Sequence, residues 1–373
     1  MRITRTIKIP LNVNKSLFQE TIDLYTKAYN LVCKTGFNDS DFNGVSLHNK
    51  TYYQTREYLP AQLAISARMK ATESLTSIRS LKKNKQKITC PQSKQCSIRY
   101  DHRSLTTDFK DNVISILTIN GRQKIFIKIR DYYSKYVSWI RRSADLIIRK
   151  NKIFLNIVFT KDIEDSVSNN KYVGIDRGIK NIAVTSTNKF YGGKQISKVS
   201  KRYEKLRSAL QSKETRSSQR HLSRISRKET LFRKDANHCI SKSLVSSLKK
   251  GTTIIFENLK NIRKSSSKWR KDVKRQVNKW NFYQFEQFVQ YKAEANGMFV
   301  DYVNASNTSR KCSACGYVSQ SNRKTQSVFR CGHCGFSIHA DLNASRNIVN
   351  RYLKTKCCSD RVEINQPIVP SLC

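Results

Sequence analysis

Acidic side chains are scarce in this chain: 27 aspartates and glutamates stand against 71 lysines and arginines among 373 residues, a formal charge of +44. So large an excess repels itself in the free protein and calls for a polyanion as its partner, which points to nucleic acid. Long apolar runs are lacking too. None approaches the roughly 20 residues that cross a bilayer, so no membrane partner is expected. The N-terminal MRITRTIKIP has one short apolar alternation and no hydrophobic signal region, which predicts an intracellular protein. Internal repeats are missing as well, and this excludes a solenoid.

Cysteine is present eleven times. An odd number without a secretory leader argues against a disulfide framework. Four of the eleven form two Cys-x-x-Cys pairs, Cys312/Cys315 and Cys331/Cys334, separated by fifteen residues. Each pair aims two thiolates at one point, and two such knuckles make a tetrahedral site suited to zinc. Four thiolates fill the coordination shell, so the zinc is expected to be structural. His333 and His339 read as histidines outside that ligand set.

The order of hydrophobic patterns predicts an α/β multidomain chain. Residues 2–13 alternate as an edge strand does. Phe18, Ile22, Tyr25, Tyr29 and Val32 make one helical stripe, and Leu63, Ala67, Ala71, Leu75 and Ile78 make another after Pro60. Strand chemistry returns over 85–165, with a hairpin signal at Asn120-Gly121 and a weaker one at Lys150-Asn151. These strands suggest a β-barrel-like domain or platform, entered by the first strand and interrupted by the helices. Tyr132–Tyr136 and Trp139 suit either base stacking or a core, and Trp280 reads as core.

The stretch DIEDSVSNN at 162–170 is a linker. Beyond it, 172–193 reads as three strands with turns at 177–180 and 187–189. Residues 197–250 read as basic helix. There Arg216, Arg220, Arg224 and Arg227 step by four, four and three and share a face. That face is either a solvated surface or a rail for phosphates, and the lack of local acidic partners favours the rail. Strands at 252–256 and 298–303, a basic loop at 258–275 and helices over 276–296 and from Ala340 to Leu353 complete the reading.

Three acids stand apart from the polar stretches: Asp176 in VGID, Glu257 at the end of TIIFE, and Asp341 opening ADLNASRNI. Singly they suit a turn residue, a loop acid and a helix N-cap. Together, at strand ends and a helix start, they can converge on hard divalent ions such as magnesium, which support phosphodiester cleavage.

The set VGIDRGIKNIAV, IIFENL and CSACG…CGHCG…HADLNASRNI resembles the TnpB (OrfB) proteins of bacterial insertion sequences, relatives of the type V CRISPR effectors and Fanzor proteins. The motif match covers roughly 172–353. It implies an RNase H-like (RuvC) core with an inserted zinc ribbon, with Asp176, Glu257 and Asp341 as the Mg2+-binding catalytic triad and Cys312, Cys315, Cys331 and Cys334 as the Zn2+ ligands. It divides the chain into a wedge (1–14 and 85–165) carrying a helical recognition module (15–84), a nuclease core (171–305), the zinc ribbon (306–338), a last core helix (339–354) and a flexible tail (355–373). It implies an RNA-guided DNA endonuclease that recognises a short motif beside its target and cuts at a single RuvC site. Its partners would be a guide RNA and double-stranded DNA. The chain is expected to be monomeric, and cytoplasmic and nucleoid-associated, or nuclear in a eukaryotic host. One departure is Arg310-Lys311, where the family pattern carries a neutral Gln/Thr-type pair. Two alternatives stay open: a transposase or resolvase that joins strands, since one fold hosts both chemistries, and a non-catalytic nucleic-acid-binding regulator of transposition.

Overall fold

The structure is a computed structural model that describes residues 2–84, 86–149, 152–164, 166–259 and 282–364, with backbone alone for 82, 83 and 357–364. The chain forms two compact units, residues 1–164 and 165–373, and the division falls inside the 162–170 stretch.

In the first unit, strand β1 (Arg2–Leu11) lies at the edge of a sheet. It pairs antiparallel with β7 (Lys152–Asp162), which pairs with β6 (Ile140–Arg149), and β2 (Ile98–Tyr100) closes the other side. Ile3, Ile7, Ile9 and Leu11 of β1 are buried, as its alternation requires. A separate antiparallel sheet holds β3 (Leu105–Asp108), β4 (Val113–Thr118) and β5 (Gly121–Phe126). Thr118 pairs with Gly121, so the loop residues are Ile119 and Asn120, one position earlier than the Asn-Gly signal suggested. Gly121 takes φ +87°, the conformation that selects glycine there. No strand pairing among the described residues closes the two sheets into a barrel. They share one apolar core with the helices instead.

Helices α1 (Ser16–Asn38) and α3 (Ala61–Lys83) bury the two stripes read from the sequence. Hydroxyl contacts between Tyr25 and Ser66 and from Tyr29 to Ser74, each 2.9 Å, fix their register. Between them lies α2 (Gly44–Arg56), which hydrophobic periodicity did not reveal. Its buried positions are Leu47, Thr51 and Thr55, and two threonines make no apolar stripe. Asn43 starts it, accepting hydrogen bonds from the Val45 and Ser46 amides.

The second unit is built on a five-stranded mixed sheet, ordered β10 (Phe190–Gly192), β9 (Asn181–Thr185), β8 (Tyr172–Asp176), β11 (Thr253–Asn258), β12 (Phe299–Asn304). β8, β11 and β12 run parallel, and β9 and β10 are antiparallel. Buried on both faces, β11 reads as the unbroken apolar run TIIF. One face packs on α6 (Arg216–Ser246) and α7 (Phe282–Ala295) through Leu244, Val245, Phe285 and Val289. The other carries α8 (Ala340–Ile364), whose Ile348 packs on Ile255 and Val303. Helix α5 (Lys194–Gln211) precedes α6.

The last helix corrects the expected end at Leu353 and the tail from 355. Its backbone continues to Ile364, because no proline or glycine interrupts the sequence there. Residues 365–373 lie outside the described residues. So do the 260–275 basic loop, Trp280 and the Lys150-Asn151 turn.

Gly174 sets how closely α8 approaches the sheet. A Cβ at this position would lie 2.2 Å from the Ser345 carbonyl oxygen, a backbone atom that cannot swing away. Gly174→Ala is therefore expected to lower the stability of the second unit by roughly 1–3 kcal/mol, the usual range for overpacking. Gly192→Ala, with nothing within 4 Å of the added carbon, is the control and should be near neutral. Thermal unfolding of the two variants side by side checks this.

Candidate functional site

The sheet register brings two of the three acids together. Phe256 pairs with Ile175, so the next residues, Glu257 and Asp176, are neighbours at the carboxyl ends of adjacent parallel strands. Crevices outside such strand ends are where open α/β sheets bind ligands. Asp341 comes from the first turn of α8. It lies close enough that its charge, with that of Glu257, adds to burial in raising the Asp176 carboxyl well above the usual carboxylate range; burial is the largest cause. Glu257 is also raised, chiefly by burial, against a lowering hydrogen bond from Thr308.

The three carboxylates are held differently. Thr308 donates its hydroxyl to Glu257 Oε1. Asn181 donates to Asp341 Oδ2 at 2.9 Å, and Arg323 meets Oδ1 at 3.3 Å. The Asp341 amide donates to Nδ1 of His339 at 3.3 Å, which gives that histidine a role in starting α8. No described residue donates to the Asp176 carboxylate. The donor chemistry fits a hard cation: Asp176, to which no described residue donates, stands beside two more acids, each of whose charges acts on it more strongly than those of Arg323 and Arg177.

Arg177, next to Asp176, was not singled out from the sequence. Its guanidinium is almost fully buried and pairs with Glu286 of α7 at 2.5 Å. It also donates to the Glu257 carbonyl at 2.5 Å and lies over the Phe256 ring. Tyr302 of β12 donates to the same Glu286 at 2.9 Å. One guanidinium thus ties the ends of β8 and β11 to α7. Asn181, Thr308 and Arg323 were missed for the same reason: each acts through a partner distant in sequence.

The four cysteines do converge. Their Sγ atoms all lie within 4.8 Å of one another, with Cys312–Cys334 at 3.8 Å and Cys315–Cys331 at 3.6 Å. A tetrahedron of sulfurs about 2.3 Å from zinc has edges of roughly 3.8 Å, so the set fits that ion. Gly316 and Gly335 take positive φ to turn the knuckles, and their amides donate to the Cys312 and Cys331 carbonyls. Asn322, buried between the knuckles, donates to the Arg310 and Tyr317 carbonyls and accepts from the Gly332 amide. Asn343 and Asn347 of α8 both donate to the Lys311 carbonyl, at 2.7 and 2.6 Å, and Asn347 also to that of Thr308 at 2.9 Å. The cysteine module is thereby fastened to the helix that carries Asp341 and to the threonine that holds Glu257. His333 stacks on Tyr317, outside the sulfur cluster.

Arg216, Arg220, Arg224 and Arg227 all lie exposed on α6, with no ion pair to a described residue. The expectation that this basic stretch lacks acidic partners needs one correction. Glu229, nearly buried, pairs with Arg207 of α5 and with Arg233. It clips the two helices together and leaves the four-arginine face free of that pairing.

Fold and site define a strongly basic α/β protein in which a four-cysteine module suited to zinc is fastened to the helix that carries Asp341, at the mouth of a mixed sheet. Residues 157–263 match the OrfB family model described as "Probable transposase", and residues 282–348 match the Cas12f1-like TNB domain. A TnpB-like protein of Methanocaldococcus jannaschii is 30% identical over 259 residues, covering 65% of this chain and 92% of that protein. The CRISPR-associated endodeoxyribonuclease Cas12f1 of Sulfoacidibacillus thermotolerans is 34% identical over 231 residues, covering 55% of this chain and only 52% of that enzyme. Among solved structures, the Cas12f1 chain of a complex with sgRNA and target DNA superposes with a TM-score of 0.69 at 13% identity, over 94% of this chain and 99% of that one, a likeness of fold. The chain belongs to the TnpB-like family.

Proposed function

We propose that this protein is an RNA-guided DNA endonuclease, with Asp176, Glu257 and Asp341 as the ligands of catalytic Mg2+ and the four cysteines as those of structural Zn2+. The observation that carries the reading is the adjacency of Asp176 and Glu257 on neighbouring parallel strands, with Asp341 near enough to perturb Asp176. It is supported by the charge of +44 and by the relatives' names. In this reading residues 171–305 and 339–354 are the RuvC-like core, 306–338 the zinc ribbon, and residues 1–165 the wedge and recognition module.

When bound, a divalent cation supplies Lewis acidity toward the phosphodiester and a more acidic water. The chain's own residues do the positioning. Thr308 holds Glu257, Asn181 and Arg323 orient Asp341, and Arg177 fixes the strand end between Asp176 and Glu257. Arg216, Arg220, Arg224 and Arg227 hold phosphates along α6. Base pairing with the guide carries sequence specificity, and the protein grips the heteroduplex by its backbone. A short motif beside the target is read by the protein, and one site cuts both strands.

The test is to sequence RNA that co-purifies with the chain and assay it against DNA with randomised flanks. A defined RNA species that directs Mg2+-dependent cutting is expected. The matched family's description as a transposase favours strand transfer as the second reading. Covalent joining products formed without RNA would establish that reading in place of the first.

A further inference from the structure

The segment after β5, running into the start of β6, carries KIRDYYSKYVSWIRR, residues 128–142, with five basic residues and one acid. A short helix, α4 (Asp131–Val137), gathers its aromatic rings, and it lies in the first unit. Tyr133, Tyr136 and Trp139 rest against the core of the first unit. Tyr136 meets Trp139 edge-on at 5.0 Å between centroids, and Tyr132 meets Tyr133 at 5.4 Å and Tyr136 at 6.4 Å. Tyr132 tops this ladder and is 67% exposed. The ammonium of Lys135 sits 4.7 Å from the Tyr132 ring centre and 5.2 Å from that of Tyr136.

Rings packed on rings have already lost their conformational freedom, so a ligand that stacks on Tyr132 does not have to order it. A flat π-face with a cation beside it, in a basic surround, matches one common ligand: an unpaired base with its own phosphate. An apolar protein partner would meet uncompensated positive charge here. Tyrosine hydroxyls both donate and accept, as a ribose 2′-hydroxyl does, which favours RNA over DNA.

We propose that Tyr132, braced by Tyr136 and flanked by Lys135, is a stacking platform for an unpaired base of single-stranded RNA. The proposal rests on the nucleic-acid reading above and adds to it a contact site in the first unit.

The experiment uses the full chain, stripped of nucleic acid at high salt, and a fluorescein-labelled 12-mer of uridine carrying one 5-iodouridine. Dissociation constants are measured over a salt series, and photocrosslinks are mapped by mass spectrometry. Tyr132→Ala should weaken binding roughly 5- to 150-fold, the range of one base–aromatic stack. The slope of log K against log salt should stay unchanged, because no phosphate contact is lost. Tyr132→Trp should retain binding, and the wild-type crosslink should fall on the 131–139 peptide. Unchanged affinity in Tyr132→Ala, or a loss with an altered salt slope, would overturn the platform. An equal loss on the deoxyuridine 12-mer would overturn the choice of RNA. A wild-type chain that bound neither oligomer would overturn the nucleic-acid reading itself.

Discussion

Asp176→Asn is expected to reduce DNA cleavage at least ~1,000-fold while guide and target affinities stay within about threefold. The size of the loss follows from the role proposed for this carboxylate. A cation that activates water and steadies the leaving oxygen contributes several kcal/mol to the barrier, and each 1.36 kcal/mol is a tenfold change in rate. Asparagine preserves the shape and removes the charge that would hold the ion. Binding should survive because the basic face of α6 and the whole first unit are untouched. Gel-based cleavage rates and filter-binding constants on one preparation check both halves.

The same substitution has a second, opposite readout. In the metal-free protein the folded-state pKa of Asp176 is raised, so the folded state binds its proton more tightly than the unfolded chain does. Below the unfolded value, near pH 4, both states are protonated and the group contributes nothing. As pH rises from the unfolded value to the folded one, the unfolded chain ionises first and the fold loses stability, and above the folded value that loss is constant. Asp176→Asn should therefore raise the melting temperature of the metal-free protein at neutral pH and flatten its pH dependence. Added Mg2+ should stabilise the wild type more than the variant. Calorimetry across pH 4–8 with and without Mg2+ measures this. Full activity in the variant, or a fall in its metal-free melting temperature, contradicts the assignment.

The second large effect is expected from removing the zinc proposed for the cysteine module. Four thiolates at the spacing seen here bind zinc with apparent free energies of about 10–16 kcal/mol in small zinc-dependent folds. Little else supports this module, whose own core is Phe329 with Cys312, Cys331 and Ala340. Cys331→Ser, or chelation, should unfold residues 306–338 and release the Lys311 carbonyl from Asn343 and Asn347. Thr308 sits at the edge of that network, so Glu257 loses its hydroxyl donor and α8 its anchor. Cleavage should fall ~100-fold or more although no zinc ligand lies among the three acids. Elemental analysis should give one zinc per wild-type chain and none in the variant. Hydrogen exchange should rise over 306–338 and at the start of α8 while the first unit keeps its protection.

Much of this was legible before any coordinates. The Cys-x2-Cys pairs carry their geometry in their spacing, because a knuckle is a local turn. The apolar stripes of α1 and α3 and the alternation of β1 are local in the same way. What escaped has one feature in common. Helix α2 buries threonines, so periodicity had no apolar stripe to detect. Arg177 looked like one more basic residue among 71, and nothing in its neighbourhood announces that Glu286, 109 positions on, takes its charge. Asn322, Asn343 and Asn347 were not singled out from the sequence, yet all three are buried and donate to loop carbonyl oxygens.

The sequence by itself determined the charge, the cysteine module, the acids worth watching and the alternation of strands and helices, since each depends on residues within a few positions of one another. Only the tertiary structure decided how those acids stand. The parallel register sets Glu257 beside Asp176, the close pass of α8 over Gly174 delivers Asp341, and side chains from three other segments, Asn181, Thr308 and Arg323, hold two of the three carboxylates. The physical reason is that hydrogen bonds and Coulomb forces act over a few ångströms of space, whatever the separation along the chain.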